Sequence, residues 1–236
     1  MQIHIPNDPL QLGPMFFLVP YKIQVFGIAN EAFKTQHNYL NPESCTISKG
    51  SDSVISFLHH YFEVYGVGEQ TVVLHADNCG GHNKNRFIMN YFAYRVMKKL
   101  HSSITIIFMP VCHTKFYCDL AFGLFKKKFK HTQVSNLKEL EECIRKSTPN
   151  SNLNKSQIVG NESGKEVYVK QYSWSSWFDS LGFSKIPGIR KLHYFKFDSK
   201  KPNFVSVKAN FREEYVEIKL NKETDIQSFP DEAIVP

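Results

Sequence analysis

The sequence has no CxxC pair, no phosphate-binding or dinucleotide-binding glycine motif, no Gly-x-Ser-x-Gly elbow and no apolar run of membrane-spanning length. Without Gly-x-x-x-x-Gly-Lys-Ser/Thr or Gly-x-Gly-x-x-Gly, P-loop and Rossmann readings fail. The five cysteines, Cys45, Cys79, Cys112, Cys118 and Cys143, are odd in number and far apart, so a disulfide framework is not expected. Cys112-His113 with Cys118 is a poor zinc pattern, because a second ligand pair is missing. Reduced thiols of this kind suit a cytosolic or nuclear protein. The opening Met1-Gln2-Ile3-His4-Ile5-Pro6 lacks the basic and apolar regions of a signal peptide and reads as a strand already under way. Internal repeats are absent too.

What is present argues for a packed core with a polyanionic partner. Hydrophobic residues make up 42% and aromatics 14%, with 20 Phe and 11 Tyr, which excludes extended disorder. Lys and Arg number 29 against 22 Asp and Glu, a formal charge of +7. Such a surplus gains affinity for phosphates by counterion release, although many unrelated proteins are mildly basic.

Apolar periodicity predicts strands over 3–5, 15–28 (one or two, closing at Gly27) and 35–40. A helix follows over 51–65, with Ser51 or Ser53 as its cap. Next come a strand over 71–76, a helix over 83–100, a strand over 104–111, and helices over 120–130 and 136–146. This alternation predicts an α/β fold. Three opening strands before helix-strand-helix-strand match a ribonuclease-H-like mixed sheet flanked by helices, with other α/β sheets left open. The core is therefore expected over 1–146. Residues 147–165 turn polar and read as a linker or surface loop. Residues 166–236 read as a small β-rich appendage: a short helix bearing Trp174 and Trp177, strands over 192–197, 204–207 and 215–220, then a polar tail.

Two segments carry candidate chemistry. In Val72-Val73-Leu74-His75-Ala76-Asp77-Asn78-Cys79-Gly80-Gly81-His82-Asn83-Lys84-Asn85-Arg86-Phe87 an apolar strand ends on Asp77, turns on two glycines and opens a basic helix. A carboxylate there can hold a metal ion, or simply satisfy backbone donors in an Asx turn. The stretch from Ile106 to Asp119 repeats the pattern, 42 positions on. Asp119 is then either a helix N-cap or a second metal ligand converging with Asp77. His113 would orient a phosphate or a scissile water, or hydrogen-bond its own loop. Lys126, Lys127, Lys128 and Lys130 follow Asp119; Lys84, Arg86, Arg95, Lys98 and Lys99 follow Asp77. Together they make a DNA-facing surface plausible, with a solvated face as the plain alternative.

The segments His75 to Asn85 and His113-Thr114-Lys115-Phe116 through Asp119 resemble a transposon-derived, uncharacterised family, the domain of unknown function 7869. Pro6, Phe26-Gly27, Tyr39-Leu40, Glu43, Lys49-Gly50, Ile186-Pro187-Gly188-Ile189 and His193-Tyr194-Phe195 fit the same resemblance. His82 stands where the family has Gln, and Cys112 where it has Gly. The family looks related to ribonuclease-H-fold transposases and integrases of the DDE/DDD type. That implies Mg²⁺- or Mn²⁺-dependent DNA strand cleavage and transfer. Asp77 and Asp119 would hold the metal, His113 would join them in catalysis, and Lys84, Arg86, Lys115, Lys126, Lys127 and Lys128 would contact nucleic acid. It also implies multimeric action in the nucleus or cytoplasm, with neither a membrane nor a small-molecule cofactor. The family carries a further Asp just ahead of the Gln2–Pro6 strand. Here the chain starts at Met1, and Asp8 and Glu43 are poor substitutes, so the resemblance implies impaired chemistry. A catalytically inactive nucleic-acid-binding or protein-interaction module is the alternative.

Overall fold

A computed structural model of the 236-residue chain describes residues 1–10, 19–46, 50–81, 83–109, 116–148, 153–160, 169–220 and 226–233. It is mixed α/β, with two mixed sheets flanked by five helices among the described residues. The chain forms two compact units. The first comprises Met1–Ile47, Lys115–Lys170 and Ile234–Pro236; the second comprises Ser48–Thr114 and Gln171–Ala233.

In the first unit β1 (Gln2–Ile5), β2 (Tyr21–Asn30) and β3 (Thr35–Pro42) pair antiparallel in sequence order. A fourth strand, β6 (Asn154–Ile158), joins β3 in parallel. Helices α3 (Tyr117–Lys130) and α4 (Leu137–Arg145) complete this unit. Ile3, Ile5, Ile23, Val25, Phe125 and Leu140 fill its core. Gly27 lets α3 approach β2: a Cβ there would meet the Phe122 ring at 2.6 Å and the Gln36 side chain at 2.9 Å. A side chain there would force the Phe122 ring and the Gln36 amide out of their places.

The strand β6 falls inside the stretch expected to be a linker. Its inward residue is Asn154, fully buried, so no apolar alternation marks it. Asn154 donates to the Ala121 carbonyl at 3.0 Å and to Ser147 Oγ at 2.9 Å. Its own oxygen accepts from Asn38 at 3.2 Å, and Asn38 accepts from Gln36 at 2.8 Å. A polar ladder thus replaces an apolar one, and burial is tolerated because the amides pair with each other.

The second unit holds α1 (Ser51–Val64), β4 (Thr71–Ala76), α2 (Arg86–Met97), β5 (Ser103–Phe108), α5 (Trp174–Ser180), β7 (Tyr194–Asp198), β8 (Phe204–Lys208) and β9 (Val216–Lys219). Its sheet runs β4-β5-β7-β8-β9; β4 and β5 are parallel and the remaining neighbours antiparallel. The expected appendage is therefore corrected: β7 pairs directly with β5, and Phe195, Phe197, Val205 and Val207 are buried. Neither Ser51 nor Ser53 caps α1, whose N-cap is Gly50. Ser53 instead donates to Gln171 at 3.0 Å. No described helix is long and apolar enough to cross a membrane.

Candidate metal and nucleic-acid sites

Asp77 stands just past the carboxyl end of β4, beside a parallel neighbour, where α/β sheets open toward ligands. Its side chain is exposed and held from one side only. Oδ1 accepts the Cys79 amide at 3.3 Å and the Asn83 side-chain amide at 2.5 Å. Oδ2 has no hydrogen-bond partner among the described residues.

The rest of the motif builds the scaffold for that carboxylate. The Cys79 carbonyl accepts the Asn83 and Lys84 amides, both at 2.9 Å, which closes the loop. Asn85 caps α2 by accepting the Phe87 and Ile88 amides at 3.0 and 3.2 Å. Gly80 and Gly81 form the tip. A Cβ on Gly81 would meet nothing within 4 Å, and one on Gly80 only the Lys84 carbonyl at 3.9 Å. Steric exclusion inside the loop does not require either glycine, so their effect is to leave the backbone bare next to Asp77. His82 lies outside the described residues.

Lys84 is not on a surface, contrary to the expectation that it contacts nucleic acid. It is 3% exposed, and its ammonium donates to the Arg190 carbonyl at 2.9 Å and lies 5.4 Å from the Phe108 ring centre. Burial pushes its pKa down. The ammonium therefore ties the motif loop to the turn at Ile189–Lys191. Arg86 is half-buried, pairs with Asp179 at 2.7 Å and stacks on Phe87. Arg95, also expected on the basic face, is 3% exposed and contacts Glu63, Tyr91 and His101. Lys98 donates to the Ile226 carbonyl at 2.8 Å. The cations near Asp77 are thus largely committed to internal contacts. A count of charges cannot distinguish a buried cation from an exposed one.

His193 received no role from the sequence beyond its place in the resemblance. Its Nδ1 lies 3.1 Å from the Phe108 carbonyl, and its own carbonyl accepts the Phe108 amide at 2.8 Å. It therefore fixes the carboxyl end of β5, one strand away from Asp77. The sequence signal was the short grouping His193-Tyr194-Phe195 after Pro187-Gly188.

Asp119 belongs to the first unit, on α3. The helix starts three residues earlier than its periodicity suggests, so Asp119 sits in the first turn and Phe116 is the N-cap. Asp119 Oδ2 accepts the Phe116 amide at 3.1 Å, supporting the helix start and favouring its dipole. Oδ1 has no hydrogen-bond partner among the described residues, and the residue is exposed. Beyond it Ala121 and Phe125 face the core, while Lys126, Lys127, Lys128 and Lys130 are all exposed. His113 and Lys115 lie outside the described residues. Asp8 accepts the Leu10 amide at 2.9 Å in a turn, and Glu43 opens a short 3-10 helix after β3.

Among the described residues no group of three or more His, Cys, Asp or Glu side chains is gathered to hold a metal. What the two carboxylates share is a form: one oxygen anchored by the local backbone, the other open.

No curated protein and no solved structure matches the chain. One family profile does, over residues 18–213, which span both motif segments and the strands from β2 to β8. The chain belongs to the family described as a domain of unknown function, number 7869.

Proposed function

We propose that this chain is a nucleic-acid-processing domain of mobile-element descent, with a ribonuclease-H-like organisation and Mg²⁺- or Mn²⁺-dependent strand cleavage or transfer as its ancestral chemistry. The observation that carries this reading is the state of Asp77: exposed at the carboxyl end of a parallel strand, oriented through Oδ1 and open at Oδ2. The element order agrees with it, three antiparallel strands before helix, strand, helix and strand, while the single sheet expected over 1–146 is corrected, since β1–β3 and β4–β5 belong to separate sheets.

The donors fit a hard divalent ion. Asp77 and Asp119 offer carboxylate oxygens, the ligands such ions prefer, and each is pre-oriented by an amide contact. A bound ion would supply Lewis-acid polarisation of a phosphoryl oxygen. Lys126, Lys127 and Lys128 draw the phosphate backbone toward α3 by charge. His113 and Lys115 keep the phosphate-facing roles that the resemblance implies.

The rival reading, an inert binding module, draws on the structural work both aspartates already do, Asp77 in its turn and Asp119 at its helix start. Response to metal separates the two. Affinity for a labelled DNA duplex, measured by fluorescence anisotropy, is expected to rise on the order of tenfold with Mn²⁺, about 1.4 kcal/mol of coupling. Asp77→Asn should remove that rise while leaving metal-free binding unchanged. An equal Mn²⁺ response in wild type and variant contradicts the role of Asp77.

A further inference from the structure

The turn joining β8 to β9 presents apolar rings to solvent in an ordered frame. Phe211 is 79% exposed, Val216 63% and Tyr215 40%. An exposed aromatic on a slack loop would be unremarkable, but this turn is braced. The Glu213 carboxylate accepts the Ala209 amide at 3.0 Å, the Asn210 amide at 3.3 Å and the Asn210 side chain at 2.6 Å. Lys208 donates to the Phe211 carbonyl at 2.8 Å. Its ammonium also lies 5.3, 5.4 and 4.7 Å from the ring centres of Tyr194, Phe211 and Tyr215. One cation thus gathers three rings, and Arg212 stands exposed between two of them in sequence.

The surrounding charge selects the partner. From Ile189 to Leu220 the chain carries eight Lys and Arg against four Asp and Glu. Of the four acids, Glu213 braces the turn, Glu217 pairs with Lys201 and Asp198 with Lys196, which leaves six cations against the exposed Glu214. Rings that must stack on bases need those bases unpaired, because a duplex hides their faces within its own stack. Cations beside the rings meet the phosphates of the same strand.

We propose that the β8–β9 turn, with Tyr194 and Lys208 beside it, is a platform for single-stranded nucleic acid. Phe211 and Tyr215 stack on bases, and Lys208 and Arg212 face phosphates. This rests on the nucleic-acid reading above and gives its partner as a single strand.

The test is anisotropy of a labelled oligothymidylate of about 15 nucleotides with the full chain. Phe211→Ala removes an exposed ring, and circular dichroism should show the fold unchanged. It is expected to weaken single-strand binding by roughly 5- to 150-fold, the range measured for one stacking aromatic, with blunt duplex binding unchanged. The double variant Phe211→Ala with Tyr215→Ala should lose more. Equal single-strand affinity in wild type and both variants overturns the proposal, as does absence of single-strand binding in the wild type. A dimer in sedimentation that Phe211→Ala dissociates, without change in oligothymidylate affinity, overturns it in favour of a second copy. The Mn²⁺ response of duplex binding is independent of Phe211, so failure of the platform and failure of the metal reading are told apart.

Discussion

Trp174→Ala is expected to destabilise the whole second unit by about 3–5 kcal/mol, as truncation of a buried aromatic does. Trp174 is fully buried. Its ring centre lies 5.3 Å from Tyr91 on α2, 5.4 Å from His59 on α1 and 5.4 Å from Phe229, and it stacks on Phe178 at 5.9 Å. Its indole N–H donates to Ser56 Oγ at 3.1 Å, and Ser56 Oγ also accepts the Tyr172 amide at 3.1 Å. Alanine would leave a large cavity and remove one of the two donors to Ser56 Oγ, which keeps the Tyr172 amide. Urea denaturation measures the loss. Hydrogen exchange then asks where it falls: the amides of β4, α2 and β5 should lose protection along with those of α5 and β7. Protection lost only from residues 171–233 would mean that the C-terminal segment folds as a separate appendage after all.

Acidification is expected to weaken the same unit between pH 6.5 and about 4. Burial pushes the pKa of His59 down to about 4; the Arg95 and His60 charges push the same way, and Glu63 opposes them. His101 is also lowered to about 4 by burial, reinforced by Arg95 and opposed by Glu69 and Glu63. Its Nδ1 accepts from Arg95 Nε at 3.2 Å, a bond that a protonated imidazole cannot make in that tautomeric role. A folded pKa below the unfolded value of 6.5 means that protons bind the unfolded chain more readily. The contribution is therefore complete above pH 6.5, declines as pH falls, and is gone below about 4. For the pair this is on the order of a few kcal/mol. Urea stability measured against pH should slope upward across that interval, and His59→Phe should reduce the slope while His101 sustains the rest. A flat wild-type profile contradicts the account.

Much of the secondary structure was legible because apolar spacing reports it. The strand over 71–76 and the helices around Phe57, Phe92 and Leu140 lie close to where periodicity places them. The strand β6 was not legible, because its buried partner is an amide ladder rather than an apolar stripe. Nor was the division of the chain: Phe195 and Phe197 alternate like core residues, yet nothing local says that their partner is β5, some ninety positions earlier.

The candidate site was legible in part. The position of Asp77 beyond a strand follows from the Val72-Val73-Leu74 run before it, and its Asx contact from the residues after it. That Lys84 is buried could not be read, because a lysine beside two asparagines looks like surface. Only the Arg190 carbonyl and the Phe108 ring, distant in sequence, define its environment. Asp119 showed its place near a helix start but not that the start lies at Tyr117, since Tyr117 and Cys118 interrupt the apolar spacing.

The most direct measurement is calorimetric titration of Mn²⁺ into the wild-type chain and into Asp77→Asn and Asp119→Asn. Loss of the binding event in Asp77→Asn is the result the proposed function predicts, and Asp119→Asn reports separately on the carboxylate at the start of α3. A wild-type chain that takes up no Mn²⁺, or variants that each retain it, would contradict the metal-dependent reading.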